Sequence, residues 1–251
     1  MQNYTVQHEC LMQQWIRKSA AVDGIRSFTK DGVIKPALWF SSTDSKERIL
    51  FFLKEAYDSK NRIWDETKWI SHKECTEICE NGADCANCRA TGMSFNPMAE
   101  WIYGIENIAR GTEKDYDNWL GLPPDKHTES NYYSRRDQLL STTAIVNIKK
   151  AGGTNHSSDE DLYYYAARDK ELLIQQISLI QPTLLICGGT YGMLRCLFPD
   201  LPAIADSKHG ISQLGNYNII ATCHPSKRCS NRKKYNNVME LYKELHRQPQ
   251  F

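Results

Sequence analysis

The chain has 251 residues, and its 31 Lys and Arg against 30 Asp and Glu give a formal net charge of +1. Apolar residues make up 41% of it and charged residues 24%, which is typical of a globular protein and excludes a mainly disordered chain. The balanced charge excludes a uniformly basic protein but allows a local basic patch. Apolar runs fall short of the ~18 residues of a membrane helix, so we expect no membrane partner.

Cysteine usage and the start of the chain bear on the cellular compartment. The nine cysteines are an odd number in a chain too long to depend on disulfide bonds. The polar start from Met1 to Cys10 lacks the apolar core of a secretory signal. We therefore expect a reduced, cytoplasmic protein, and we expect it to be a monomer.

Four apolar runs predict buried strands. They cover residues 49–53, 143–148, 183–187 and, more weakly, 217–222. Continuous apolar runs without alternation are typical of parallel strands that are covered on both faces. The sequence therefore predicts a sheet with a layer on each side.

Helical patterns lie between these runs. The clearest covers residues 159–180, with a capping box predicted at Ser157 and Glu160 and an end marked by Pro182. Other helices are predicted over residues 10–21, 190–198 and 235–246.

The alternation of strands and helices predicts an α/β fold, a three-layer α/β/α domain around a mostly parallel, four-stranded central sheet. We expect a single domain over residues 1–251, with an N-terminal helical extension over 1–45 and an inserted cysteine-rich, metal-binding subdomain over 60–92. In open α/β sheets ligands bind beyond the carboxyl ends of the strands, so the residues just past each strand are the first candidates for a site.

A group of cysteines lies inside the expected insertion. It consists of Cys75, Cys79, Cys85 and Cys88, spaced C-x3-C-x5-C-x2-C. Thiolates this close can surround one tetrahedral zinc ion, and they also suit an iron–sulfur cluster. We expect a structural zinc, with iron–sulfur as the alternative; unligated thiols or disulfides would be the ordinary interpretation. Cys187 and Cys223 are expected to be small core residues.

Short motifs stand at the expected strand ends. Residues 53–57 are L-K-E-A-Y, residues 92–96 are G-M-S-F-N, Val146-Asn147 lies at the second strand, and residues 224–227 are H-P-S-K. In this order they resemble motifs of the uracil-DNA glycosylase superfamily: G-Q-D-P-Y with the catalytic acid, G-L-C-F-S with a base-stacking ring, a base-reading Asn, and the H-P-S-P loop. The resemblance covers residues 49–246, with Glu55 in place of the usual Asp and a long insertion between the first two motifs.

The resemblance implies a uracil-DNA glycosylase-like fold and a DNA glycosylase activity. Such an enzyme flips a pyrimidine base out of the duplex and hydrolyses its N-glycosidic bond, leaving an abasic site. Glu55 and His224 would be catalytic: the carboxylate stabilises the sugar cation and orients water, and the imidazole stabilises the leaving base anion. Tyr57, Phe95 and Asn147 would bind the base as pocket wall, stacking face and edge reader. Each also has an ordinary interpretation, such as core packing for Phe95.

A run of basic residues follows the His224 motif and contains no acid. Its members are Lys227, Arg228, Arg232, Lys233 and Lys234. Together with Ser226 they are expected to contact DNA phosphates, although a solvated helix start is the alternative. Further phosphate contacts are expected from Lys149 and Lys150 and from the backbone N–H groups of Gly152 and Gly153.

The substrate is open between two kinds of base. Uracil is the default that the motifs imply, which would mean base-excision repair. A modified pyrimidine, such as the hydroxymethylated or glucosylated cytosine of phage DNA, would mean antiviral defence. A non-catalytic DNA-binding module with the same fold is the second class of function. A nucleotide-binding α/β protein is a weaker third, because no G-x-x-x-x-G-K-[ST] loop is present.

Overall fold

The longest apolar runs of the sequence form the middle of one twisted sheet, and the more amphipathic segments form helices on its two faces. The computed structural model describes residues 2–23, 27–41, 47–57, 63–70, 92–153, 158–204 and 209–247. The strands are β1 Phe28–Lys30, β2 Gly32–Val33, β3 Ile49–Tyr57, β4 Ile63–Asp65, β5 Ala144–Gly153, β6 Leu184–Gly188, β7 Gly210–Leu214 and β8 Tyr217–Thr222.

The helices alternate with these strands. They are α1 Gln2–Asp23, α2 Pro36–Ser41, α3 Glu66–Ile70, α4 Gly92–Ala109, α5 Glu129–Leu140, α6 Asp159–Arg168, α7 Lys170–Ile180, α8 Tyr191–Leu197 and α9 Asn231–Arg247. Two 3-10 helices, Tyr116–Gly121 and Pro124–Lys126, connect α4 to α5. Among the helices that the structure describes, none combines the length and the apolar character that crossing a bilayer requires.

In the described part of the chain the main sheet has six strands, in the order β2-β5-β3-β6-β8-β7. Strands β5, β3, β6 and β8 pair in parallel, whereas β2 and β7 pair antiparallel at the two edges. Strands β1 and β4 form a separate small parallel sheet. The α/β class is thus confirmed, but the sheet is mixed and has two more strands than the four expected. The edge strands escaped prediction because β2 is very short and β7 is half exposed.

Each face of the sheet buries its own apolar cluster. Leu50 and Phe52 of β3 point into a first cluster with α1, α6, α7 and α8. The alternate residues Ile49, Phe51 and Leu53 point into a second cluster with α4, α5 and α9. Because β3 is buried on both faces, its sequence shows no polar alternation, which is the reason the run was recognisable.

Several element boundaries differ from the prediction, and two of them, at residues 158 and 169, have a local reason. The helix expected over residues 159–180 is interrupted at Asp169, whose backbone leaves the helical region with φ −106° and ψ 15°. The buried Asp169 carboxylate pairs with Lys18 of α1 at 3.0 Å, and the same ammonium donates to the carbonyl oxygen of Arg168 at 2.6 Å. The observed cap of α6 is Ser158, whose side chain accepts a hydrogen bond from the Asp161 N–H; Ser157 lies outside the described residues.

The N-terminal segment is more than a helical extension, because it contains β1 and β2 and contributes to the core. Trp15 of α1 is fully buried in the first cluster. The Tyr4 hydroxyl accepts a hydrogen bond from the Val33 N–H at 3.0 Å, and the Trp39 indole donates to the Ile180 carbonyl at 2.9 Å. These contacts join the segment to the edge of the main sheet.

A buried polar network makes the same connection at β5. Asp31, between β1 and β2, is fully buried and pairs with the Lys150 ammonium at 2.5 Å. The same carboxylate accepts hydrogen bonds from the backbone N–H of Asn147 at 2.7 Å and from the Gln176 side chain at 2.8 Å. The Lys150 ammonium also lies 4.8 Å from the centre of the Trp15 ring. One carboxylate thus holds the N-terminal segment, β5 and α7 together.

Removing one partner of this buried pair should be costly. Lys150→Met should lower the free energy of unfolding by about 3–5 kcal/mol, because it leaves the Asp31 carboxylate buried without its ammonium. Urea unfolding monitored by circular dichroism measures the loss, with the exposed Lys114→Met as the matched control. A loss within the ~1 kcal/mol typical of surface pairs would show that the pair does not hold the fold together.

Candidate active site

The four central strands bring several of the predicted site residues to one edge of the sheet. Leu53 pairs with Asn147, and Gly188 pairs with Thr222, one residue beyond the Phe52–Cys187 pair. Leu53, Asn147, Gly188 and Thr222 therefore lie side by side across the sheet. Glu55 comes two residues after Leu53, and His224 comes two residues after Thr222. Strand β6 lies between their strands, and the His224 backbone lies beside Gly188 and Gly189 at the end of β6.

The His224 loop is a tight, hydrogen-bonded turn. The Lys227 N–H donates to the His224 carbonyl at 2.9 Å, and the Lys234 ammonium donates to the Pro225 carbonyl at 2.6 Å. Lys234 is only 4% exposed, so this buried hydrogen bond connects the first turn of α9 to the His224 loop. Lys234, expected to contact DNA, instead positions the loop that carries His224.

Hydrogen bonding fixes the tautomer of His224. The Ser226 backbone N–H donates to Nδ1 at 3.2 Å, and the Ser226 hydroxyl lies 2.7 Å from the same nitrogen. A backbone N–H can only donate, so Nδ1 is the acceptor and a neutral ring carries its proton on Nε2. Burial, with the nearby charges of Lys54 and Lys234, lowers the pKa of His224 to about 4. At neutral pH the site therefore presents an uncharged imidazole with one N–H donor.

Lys54 is the part of the first motif that lies beside His224. A Cβ built on Gly189 would lie 3.5 Å from both the Lys54 Cε and the His224 backbone nitrogen, which places the two residues around one glycine. The Lys54 ammonium is 3.2 Å from Asp159 at the start of α6. Sequence reasoning treated Lys54 only as a departure from the family motif; its position directly before Glu55 was the available signal.

Glu55 is held by an ion pair on the other side of β3. Its register partner is Lys149, whose ammonium lies 3.2 Å from the Glu55 carboxylate and 2.6 Å from that of Asp161. Burial lowers the pKa of Lys149, but the hydrogen bond to Asp161 and the charge of Glu55 outweigh this and raise it overall. The ammonium expected to bind phosphate is thus engaged with two carboxylates, and it sets the position of the candidate catalytic acid.

Asn147 lies inside β5 rather than at its end, and it is only 2% exposed. Its side-chain nitrogen donates to Asp31 at 3.1 Å and to Glu66 at 2.8 Å, which uses both N–H groups of the amide. Burial and the charge of Asp31 raise the pKa of Glu66 to about 8. The amide expected to read a base has only its oxygen left for that purpose, and sequence reasoning missed the two acids because they lie far away in the chain.

The remaining residues of the predicted base pocket have other surroundings. Phe95 of α4 is 6% exposed and packs in the second apolar cluster. Tyr57 ends β3 and its backbone pairs with Gly153, while its side chain lies outside the described part. Gly152 and Gly153 belong to the end of β5, which continues past a register shift instead of becoming a loop.

Most of the basic run lies at the surface. Lys227, Arg228, Arg232 and Lys233 are exposed, in contrast to Lys234. Arg232 pairs with Asp117 at 2.5 Å. Lys150 is buried against Asp31, so its ammonium does not reach the surface where a phosphate contact was expected. The exposed cations adjoin the His224 loop along the chain.

The four cysteines of the expected metal site lie in a part of the chain that the structure does not describe. Cys75, Cys79, Cys85 and Cys88 are outside the described residues, and within the described ranges no group of acids, histidines and cysteines is placed to hold a metal ion. Cys187 and Cys223 are buried, as expected, at 1% and 8% exposure.

No protein-family model matches the chain, and no curated protein matches it.

Proposed function

We propose that the chain is a monofunctional DNA glycosylase that releases a pyrimidine base and leaves an abasic site. The observation that carries the proposal is the neutral His224 with its Nε2 proton, beside the Lys54 ammonium, at the carboxyl edge of the parallel strands. A donor and a cation placed together stabilise negative charge that develops on a leaving base. The H-P-S loop and the order of the motifs support the assignment.

In the proposed reaction each side chain has a stated role. As the bond between C1′ and the base nitrogen breaks, the Glu55 carboxylate stabilises the positive sugar and accepts a proton from the attacking water. The water oxygen bonds to C1′, and the base leaves as an anion that accepts the Nε2–H hydrogen bond of His224. Lys149 positions Glu55, and Lys234 positions the His224 loop, without touching the substrate.

The identity of the released base is proposed from the resemblance to uracil-DNA glycosylases and from the chemistry of the site. Uracil or a modified pyrimidine such as hydroxymethylated or glucosylated cytosine would be released, in repair or in antiviral defence respectively. Base flipping precedes the reaction, and the exposed Lys227, Arg228 and Lys233 would hold the flanking phosphates.

A specific observation favours a second candidate, a DNA-binding module without catalysis. Glu55 is paired with Lys149, and both N–H groups of Asn147 are used inside the protein. A protein that only binds DNA needs the exposed cations but neither of these side chains. The two candidates separate cleanly in an activity assay.

Free thiols bear on the compartment. Cys10, Cys196 and Cys229 are exposed and free, and exposed thiols of this kind persist in a reducing environment. We therefore propose that the protein acts in the cytoplasm, as a monomer on its DNA substrate.

We also propose that Cys75, Cys79, Cys85 and Cys88 bind a structural zinc ion, with an iron–sulfur cluster as the alternative. Elemental analysis of the purified protein should find zinc at a ratio of about one per chain. Cys85→Ser should lower that content, whereas Cys196→Ser, an exposed free cysteine, should leave it unchanged. Iron with inorganic sulfide would select the alternative, and the absence of any metal would refute both.

The activity assay uses oligonucleotides that contain uracil, hydroxymethylcytosine or glucosylated hydroxymethylcytosine, with abasic sites revealed by alkaline cleavage. We expect His224→Ala to lower the rate of base release about 10²–10³-fold, and Glu55→Gln to lower it comparably. DNA affinity should stay close to that of the unmodified protein. Because the pKa of His224 is about 4, the rate should show no histidine step near pH 6.5.

Matched controls are the exposed substitutions Glu240→Gln and His246→Ala, which should leave the rate unchanged. If no base is released from any substrate while DNA is bound, the chain is the non-catalytic module. If the His224 and Glu55 variants release base at full rate, the proposed roles are wrong.

If the exposed cations after His224 contact DNA phosphates, the DNA affinity should depend on salt concentration through them. Changing Lys227, Arg228 and Lys233 to Ala together should reduce the slope of log K against log salt by about 0.9 for each phosphate that the variant no longer neutralises. A control with the exposed Arg17, Lys114 and Arg247 changed to Ala should keep the original slope. Equal slopes for the two triple variants would show that this loop does not contact DNA.

A further inference from the structure

A cavity lies on the face of the sheet covered by α4, α5 and α9, and the proposed glycosylase chemistry does not use it. Its volume is about 540 Å³, which is within the range of small-molecule sites. Its walls are mainly aromatic. The rings belong to Tyr103, Tyr116, Trp119, Tyr132, Tyr133 and Tyr235.

The charged residues that line this cavity are all acidic. Glu100, Asp117 and Glu129 line it, and the described lining includes no Lys or Arg. An aromatic wall with carboxylates repels phosphates and other anions and attracts cations to the ring faces. The protein already shows this attraction at the rim, where the Arg232 guanidinium lies 5.3 Å from the centre of the Tyr116 ring and pairs with Asp117.

Glu100 provides an independent indication of a ligand. Its side chain is 8% exposed, and its Oε1 accepts hydrogen bonds from the hydroxyls of Tyr132 at 3.1 Å and Tyr116 at 3.5 Å. Its Oε2 is buried and has no hydrogen-bond partner among the described residues. Asn231 of α9 lowers the pKa of the carboxylate through a side-chain hydrogen bond, and Lys234 lowers it through its charge. The Lys234 ammonium itself donates to the carbonyls of Pro225 and Lys227. A buried carboxylate oxygen without a donor is costly unless a ligand supplies one.

Two residues that line the cavity, Trp119 and Leu120, have a strained backbone. Trp119 and Leu120 adopt left-handed conformations, with φ 42° and 55°, which non-glycine residues avoid at a cost of about 1–2 kcal/mol each. With this backbone, the Trp119 ring stacks on the His127 ring, and their centres are 4.9 Å apart. The Trp119 residue stays 48% exposed. A large ring is thus fixed at the opening, where it can cover a bound cation.

We propose that this cavity binds a small protonated amine, whose N–H donates to Glu100 Oε2 and whose charge lies against the Tyr and Trp rings. The unpaired oxygen requires a donor, which favours an amine with at least one N–H over a quaternary ammonium ion. Asp117 is already paired with Arg232, and the two remaining carboxylates, Glu100 and Glu129, favour a cation over a neutral ligand of equal size. The cavity is much larger than a single metal ion needs, and its wall is aromatic.

The pH response follows from the same carboxylate. Burial raises the pKa of Glu100 from 4.5 to about 7, against the lowering effects of Tyr132, Lys234, Asn231 and Tyr116. Amine binding needs the charged form, so the affinity should weaken as the pH falls through 7. Without ligand, the folded chain keeps a proton between pH 4.5 and 7 that the unfolded chain has lost, so this group makes the fold less stable as the pH rises through that range.

Isothermal titration calorimetry on the full chain at pH 8 tests the proposal with n-butylamine, butyltrimethylammonium and 1-butanol. We expect n-butylamine to bind most tightly and 1-butanol most weakly. Glu100→Gln should weaken n-butylamine binding about tenfold or more, because it removes a charge-assisted hydrogen bond. Glu240→Gln is the matched control and should change nothing. Trp119→Leu, at the exposed mouth, should weaken both cations without touching the buried carboxylate.

Unfolding of the free protein provides the check that does not depend on a ligand. Relative to the unmodified chain, Glu100→Gln should gain stability as the pH rises from 4.5 to 8. The proposal is overturned if n-butylamine shows no saturable binding, if 1-butanol binds as tightly, or if Glu100→Gln keeps full amine affinity. None of these outcomes depends on whether the chain cleaves DNA.

Discussion

The buried ion pair between Asp31 and Lys150 is the interaction on which the rest of the site depends. Asp31 binds the backbone N–H of Asn147, so it extends the hydrogen bonding of β5 beyond the short edge strand β2. With β5 held in this way, Lys149 is in register with Glu55 and bridges it to Asp161. A carboxylate contributed by the N-terminal segment thereby sets the position of the candidate catalytic acid two strands away.

Three buried or half-buried ammonium groups have a common role in this protein. Lys150 holds β5, Lys149 holds Glu55, and Lys234 holds the loop of His224. Each was expected at a DNA phosphate, and each instead neutralises a carboxylate or satisfies a carbonyl inside the protein. Burying a charge is unfavourable unless it is paired, so these lysines constrain the geometry around them. Phosphate contact is left to the cations that follow His224 on the surface.

The carboxyl edge of the sheet and the face covered by α4, α5 and α9 carry different chemistry. At the carboxyl edge, Lys54 and the neutral His224 favour an anion, such as the departing base of the proposed reaction. On the face covered by α4, α5 and α9, the aromatic cavity with Glu100 favours a cation. Lys234 lies between the two, beside the loop and within electrostatic reach of Glu100.

The sequence by itself determined the α/β class, the β8 boundaries and the centre of each buried strand, because those runs are apolar on both faces and need no distant partner to be recognised. It also placed His224 just past β8, whereas Glu55, expected just beyond its strand, lies inside β3. Tertiary structure decided the environments: Asn147 is enclosed because Asp31 and Glu66 approach it from far along the chain, and α6 ends at Arg168 because Asp169 meets Lys18. Hydrophobic periodicity is a local property that the sequence displays, whereas the partner of a buried charge is fixed only when distant segments pack together.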